Sequence, residues 1–367
     1  MIRVSVLNPD GTPAMPTKSS RARRWLRDGK AVVVHNDLTL FSVRLVAEPS
    51  GRTVQDVVIG IDPGKLFSGI GVQSSQATLF KAHLALPFKS VTKKMTSRRT
   101  LRRTRRGRRI NRTIAFSQRA HRQKRFSNRR QGKLPPSIRA NRQLELRVVQ
   151  ELLKLFPVSH LRYEVIKART ENGKGKGFSP AMVGQKIMLQ WLESYRPTTS
   201  QQGWQTSILR QQLGLSKDKT DKSKQTPDTH ANDGIALAAS HFMSFEAFHT
   251  ATERGHHWLG QVQVTDAPFR VITRPHLYRR QLHFENPDKG GMRKRKGGTV
   301  TPFGFRSGDW VKAEKAGQTV LGWIGGFTDT AKTRNVSVYD HNWKRLGQYS
   351  LSKVQLLQRS TGLCVTR

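Results

Sequence analysis

The chain has 367 residues, of which 66 are Lys or Arg and 24 are Asp or Glu, a formal net charge of +42. Such an excess excludes most enzymes of small neutral metabolites and points to a polyanionic partner, most simply nucleic acid. The single cysteine, Cys364, excludes intrachain disulfides, zinc ribbons and iron–sulfur clusters.

No run approaches the roughly 18 apolar residues of a membrane helix, and Met1 to Pro16 lacks the apolar stretch of a secretory leader. The expectation is a cytoplasmic chain, nucleoid-associated when bound to DNA, with no membrane partner. Taken in order, residues 1–52 read as a small unit with short strands at Ala31–His35 and Leu40–Val46. Residues 53–91 alternate as three strands, Val57–Asp62, Ser68–Gln73 and Ala77–Leu86. Between Asp62 and Glu145 the 82 intervening positions hold 23 Lys or Arg and no acid. From Arg98 to Arg130, Arg pairs recur every three or four residues, a spacing that spreads cations over most faces of a helix. The segment is internal, lacks Pro and has one glycine, Gly107, so an ordered helix over 92–132, neutralised by phosphates, is expected rather than a disordered basic tail. Residues 133–250 read as a helix capped by Ser137 and running to Phe156, a strand His160–Ile166, a loop marked by Gly173, Gly175 and Gly177, and further helices. Residues 251–367 are rich in turns, with strand runs Trp310–Ala313, Val320–Ile324 and Val336–Tyr339 that predict a small β-barrel with Trp310 and Trp323 in its core.

Three pieces carry acidic groups in suggestive places. In Val57–Val72 a buried apolar strand ends at Asp62, and Pro63-Gly64 breaks it, leaving the carboxylate at a strand rim. Taken singly, such an Asp is a turn residue. Glu164 lies inside a strand pattern, where it must either face solvent or meet a cation. In Asp228–Ser240, Asp228 or Thr229 can cap a helix on which His230 and Asp233, spaced i and i+3, share a face. An Asp on a first strand, a Glu on a later strand, then His and Asp on a helix is an arrangement able to hold Mg2+, a hard cation that prefers oxygen ligands, beside a phosphodiester.

These pieces resemble the split RuvC nuclease, an RNase H-like α/β fold, of the transposon-encoded IscB and IsrB proteins, small relatives of the CRISPR type II effectors. The Arg-rich segment resembles their bridge helix. The N-terminus, through Pro13-Ala14-Met15-Pro16, is similar to their PLMP domain with Ala in place of Leu. Residues 165–229 contain no histidine and so cannot encode an HNH nuclease, which makes the chain similar to IsrB, the HNH-less form. The resemblance implies a core split into part I (53–91) and parts II and III (133–250), a PLMP domain (1–52), a bridge helix (92–132) and a mainly β C-terminal region (251–367) touching RNA and the target flank. It implies an RNA-guided nickase that takes its guide from a long noncoding omega RNA, acts as a monomeric ribonucleoprotein and cuts the displaced strand of a double-stranded DNA target beside a flanking motif. Asp62, Glu164 and Asp233 would hold Mg2+, with Mn2+ the alternative. His230 would position the water, and Arg98, Arg99, Arg102, Arg103, Arg105, Arg106 and Arg109 would grip the guide RNA. The readings that compete are a non-catalytic RNA- or DNA-binding protein and a guide-free RuvC-type resolvase.

Overall fold

The structure, a computed structural model, describes residues 2–108, 111, 113–118, 134–167, 170–171, 174–175, 179–250, 252–275, 285–286, 291–292 and 301–366. The chain divides into two units, Met1–His35 with Leu40–Phe269, and Asn36–Thr39 with Arg270–Arg367.

The first unit opens with β1 (Arg3–Leu7), β2 (Pro13–Lys18), α1 (Ser19–Arg27), β3 (Ala31–Val34) and β4 (Ser42–Leu45), in sheet order β2-β1-β4-β3. Alternation in β1 turns Val4 and Val6 onto a small core with Ala22, Ala31 and Val43. The two expected strands are present, each slightly shorter than expected.

The central sheet follows. Strands β5 (Val57–Asp62), β6 (Phe67–Ser74) and β7 (Thr78–Ala85) form an antiparallel meander. Helices α2 (Phe88–Arg108) and α3 (Pro136–Leu155) lead to β8 (His160–Val165), which pairs parallel to β5. A two-residue pair, β9 (Thr170–Glu171) and β10 (Lys174–Gly175), and α4 (Pro180–Glu193) precede β11 (Thr198–Gln202), which pairs parallel to β8. The order across this unit is therefore β11-β8-β5-β6-β7. Val57, Val58, Ile59 and Ile61 are all fully buried, as expected for a strand covered on both faces. α3 covers one face, where its Arg142 reaches Tyr163 of β8. The other face receives α5 (Gly203–Gln212), one wide π-type turn (Pro227–Ala231) and α6 (Asn232–Ala239). α6 lies directly on the strand backbones: a Cβ on Gly60 would overlap Gly234 O, and one on Gly71 would overlap Ile235 N. Gly60 and Gly71 pair across β5 and β6, so two missing side chains open one groove for the helix. A hairpin, β12 (Ser244–His249) with β13 (Arg254–Leu259), closes the unit.

Three sequence expectations shift. The Arg-rich helix starts earlier, at Phe88, and is helical to Arg108; residues 111 and 113–115 are not helical, and residues 119–133 lie outside the described residues. Gly107 and the growing density of like charge, unrelieved by any acid, weaken that end. α3 is preceded by Pro135 rather than capped by Ser137, because Pro136 already supplies the preset backbone angle of a first helical residue. Neither Asp228 nor Thr229 caps α6, since both side chains are engaged in the preceding loop.

The second unit holds β14 (Phe269–Thr273), the short pair β15 (Glu285–Asn286) and β16 (Gly291–Met292), then β17 (Trp310–Lys315), β18 (Gln318–Asp329), β19 (Arg334–Tyr339), β20 (Arg345–Ser350), β21 (Val354–Gln358) and β22 (Cys364–Thr366). β14 pairs with β22, and the others form an antiparallel sheet in the order β20-β19-β18-β17-β21. The short turn Leu351–Lys353 carries the chain from β20 across to β17, where β21 adds to the sheet. Its core is Val311, Ala313, Ile324, Val336, Val338 and Tyr349. Trp310 and Trp323 pair directly across β17 and β18, with ring centroids 4.3 Å apart. Strand alternation puts them on the face opposite that core, which corrects the expectation that they fill it. Among the described residues no helix is long and apolar enough to cross a membrane.

Candidate active site

Asp62 is the last residue of β5. In the parallel ladder Gly60 stands beside Arg162 and Ile61 beside Tyr163. Continuing that register puts Asp62 next to Glu164, both projecting from the face of Gly60, which is the face that α6 covers. The π-type turn then brings in His230, whose carbonyl lies so close over Gly69 that a Cβ there would overlap it. Asp233 follows in the first turn of α6. Four residues chosen from three separated sequence pieces thus converge at one end of one sheet.

His230 Nδ1 stands 3.8 Å from Asp62 Oδ2, and His230 Nε2 is 3.3 Å from Lys222 O. A carbonyl oxygen only accepts, so this contact assigns the hydrogen of a neutral ring to Nε2 and leaves the Nδ1 lone pair facing Asp62. Asp233 is buried and accepts from Arg210 Nη1 at 2.8 Å and from Lys217 Nζ. Glu164 lies against the N-terminus of α5. A Cβ on Gly203 would come within 2.8 Å of Glu164 Oε1, so a larger residue there would have to displace the carboxyl. Burial, then the charge of Asp62, push the Glu164 carboxyl up to about 8, with Thr206, Lys217 and Arg210 opposing. Burial also lowers Arg210 and Lys217, against the attraction of Glu164 and Asp62.

This donor set fits a divalent cation. Glu164, buried and beside the charge of Asp62, takes up a proton near neutral pH, and the Asp233 carboxylate borrows its countercharge from Arg210 and Lys217. Oxygen donors of this kind suit Mg2+ or Mn2+.

Residues that the sequence reading passed over hold the site from behind. Buried Arg142 of α3 donates to Tyr163 Oη at 2.7 Å and to Gly64 O at 3.0 Å, and pairs with buried Glu145 at 3.0 Å. Glu145 accepts from Ser68 Oγ, which itself accepts from Gly64 N–H at 3.1 Å, and Asn141 Nδ2 donates to Lys65 O at 2.9 Å. α3 therefore clamps the Pro63–Lys65 turn that follows Asp62. Burial, only partly offset by Arg142 and Ser68, lifts Glu145 to about 7. On the other side, buried His83 contacts Thr229 Oγ1 through Nδ1 at 3.0 Å, and its ring centroid is 5.2 Å from that of His230 and 5.1 Å from that of Phe67. Burial and the neighbouring His230 hold His83 down to about 4, so it packs as a neutral ring. Glu145 carried one legible signal, as the first acid after the long basic stretch; Lys217, in an aperiodic loop, carried none. Asp228 lies apart from the carboxylates in role: it accepts from Ser216 Oγ at 2.6 Å and Asn232 Nδ2 at 3.0 Å, tying that loop to α6.

Ten of the 21 residues of α2 are Lys or Arg and none is acidic. Arg98, Arg99, Arg102 and Arg103 are exposed. Arg105 and Arg106 belong to the same helix, and Arg109 lies outside the described residues.

Fold and site together define a strongly basic, mixed α/β protein with a carboxylate cluster at the strand ends of its first unit. Residues 4–179 match the model of the family described as RRXRR protein. The chain reads Arg-Arg-Thr-Arg-Arg at 102–106 and, overlapping it, Arg-Arg-Gly-Arg-Arg at 105–109. Among solved structures, T. thermophilus RuvC in complex with a Holliday junction substrate is similar at 16% identity over 50% of this chain and 91% of that chain, with a TM-score of 0.27. No curated protein matches.

Proposed function

We propose that this protein is an RNA-guided DNA endonuclease of the IsrB kind, built on an RNase H-like core, which nicks the displaced strand of a target duplex. The observation that carries the reading is the convergence of Asp62, Glu164 and Asp233, with His230 beside them, in a chain of net charge +42. A pure nucleic-acid binder gains nothing by burying mutually repelling carboxylates next to the surface it must offer to phosphates. An antiparallel meander extended by two parallel strands, with the acids on adjacent strand ends, supports the RNase H-like assignment.

Asp62, Glu164 and Asp233 would hold the divalent cation, which supplies neutralisation of the phosphodiester charge and acidifies the attacking water. His230, with Nε2 fixed on Lys222 O, presents Nδ1 as the base that accepts the water proton, and Asp62 orients the same water. Phe67 and His83 hold the His230 ring by packing. Arg210 and Lys217 keep the Asp233 carboxylate in place. The Arg-rich face of α2 grips the guide RNA, and the guide strand, rather than protein contacts to bases, supplies sequence specificity. With no histidine in 165–229 and therefore no HNH centre, one strand is cut.

The test is a preformed R-loop: a duplex opened by a complementary RNA, each strand end-labelled in turn. With Mg2+ the displaced strand should be cut and the RNA-paired strand left whole. Cutting of four-way junctions in preference to R-loops would favour the guide-free resolvase instead, and binding of both without cutting would favour the non-catalytic reading.

A further inference from the structure

A second cluster of ligating side chains stands at the opposite end of the same three elements that carry the carboxylates. Asp56 immediately precedes β5, His160 opens β8, and His241 lies in the single turn that follows α6. One ligand atom from each, together, falls within 4.8 Å of the others. Along β5, Asp56 and Asp62 are six residues apart, roughly 20 Å at the rise of a strand, so the two clusters are separate. We propose that Asp56, His160 and His241 form a site for a borderline transition-metal cation, of which Zn2+ is the representative, and that the bound ion clips together the far ends of β5, β8 and α6.

The donor chemistry selects the ion class. Two imidazoles and one carboxylate suit Zn2+, Co2+ or Ni2+, whereas Mg2+ prefers an all-oxygen shell. The rings of His160 and His241 lie 4.4 Å apart between centroids, and His241 Nε2 is 3.7 Å from Asp56 Oδ2. His160 Nδ1 sits 3.1 Å from Ser159 Oγ, a hydrogen bond that fixes the ring and leaves Nε2 open, the arrangement that second-shell partners give to ligating histidines. Ligand atoms around one tetrahedral Zn2+ stand about 3.3 Å apart. Closure onto an ion therefore needs movements of about an ångström, which the exposed Asp56 side chain is free to make. Arg162, the nearby cation, has its guanidinium directed toward Ser240 O at 3.5 Å.

The location gives the site its consequence. β5 carries Asp62, β8 carries Glu164, and α6 carries Asp233. An ion at the far end would lock the mutual register of all three without touching the reaction. The inference stands on this geometry alone and does not depend on the nuclease reading.

The test uses the full chain, freed of nucleic acid in high salt and of metal with a chelator, in an Asp62→Ala background that removes the carboxylate site. Zn2+ retention after dialysis, and the visible absorption of Co2+ as a probe, are then measured. The expected result is about one tightly held equivalent, with a Co2+ spectrum displaced by Zn2+, and its loss in His160→Asn and in His241→Asn. At a hundredfold excess over Kd, Zn2+ should raise the Tm of the parent by roughly 5 °C and leave those variants unmoved. Asp56→Asn, an exposed change that should not alter the metal-free melt, should weaken Zn2+ binding at least tenfold, which keeps the idea testable if either histidine variant folds poorly. No retained equivalent in the parent, or one that survives His241→Asn and Asp56→Asn alike, overturns the proposal.

Discussion

Replacing Glu164 with Gln should separate stability from function in opposite directions. The Glu164 carboxyl titrates near 8 in the folded chain because it is buried and lies beside Asp62, against an ordinary value near 4.3 when unfolded. With the folded value above the unfolded one, the folded chain holds the extra proton between those limits. The stabilisation from Glu164 is then complete below about pH 4.3 and is lost progressively as pH rises through about 8. At pH 7 the accumulated cost is on the order of 3 kcal/mol, from some two and a half units at about 1.4 kcal/mol each. A neutral amide of nearly the same shape escapes it. Chemical denaturation in chelator, at steps from pH 5 to 9, should therefore show Glu164→Gln gaining on the parent as pH rises, by on the order of 4 kcal/mol between pH 5 and pH 9. Glu145, raised to about 7, tilts both curves equally and cancels in the difference. The same variant should lose Mg2+-dependent cutting. Parallel pH curves for parent and variant would refute the claim that Glu164 is desolvated against Asp62.

Lys217→Ala should tighten Mn2+ binding about tenfold, by equilibrium dialysis, because it frees Asp233 from an internal cation; unchanged affinity would show that Lys217 does not compete. Changing Arg102, Arg103, Arg105 and Arg106 together to Gln should reduce the slope of log K against log salt for RNA binding by about 3; an unaltered slope would remove α2 from the RNA interface. Gly71→Val should destabilise the first unit by at least about 3 kcal/mol, or prevent folding, since its side chain would enter the backbone of α6. A melt within about 0.5 kcal/mol of the parent would mean that the helix is not seated on the strands.

How much of this was legible follows from which residues have periodic neighbours. The strand ending at Asp62 declares itself by five consecutive apolar or glycine positions and a Pro-Gly break, and Glu164 by its place in an alternating run. What brings His230 and Asp233 to them is the pair Gly60 and Gly71 with Gly234, and a single sequence gives no sign that these glycines mark close approach rather than flexibility. Arg210, Lys217 and His83 were not foreseen because each acts through a partner distant in sequence; Arg210, for example, is 23 residues from Asp233. The far cluster of Asp56, His160 and His241 was invisible for the same reason. In the second unit the strands were legible from alternation, but that β21 pairs with β17 rather than β20 depends on where the turn after β20 delivers the chain, which composition does not encode.

The central claim is that these carboxylates cut DNA under the direction of an RNA. Its most direct measurement is the conversion of supercoiled plasmid by the chain copurified with its RNA, using a plasmid that carries a sequence complementary to that RNA's variable end. In Mg2+ the parent should give open circle, with end-labelling placing the break on the strand not paired to RNA, while Asp62→Ala should bind the plasmid equally well and leave it supercoiled. Open circle formed at the same rate by Asp62→Ala, or by the parent in chelator, would contradict the account.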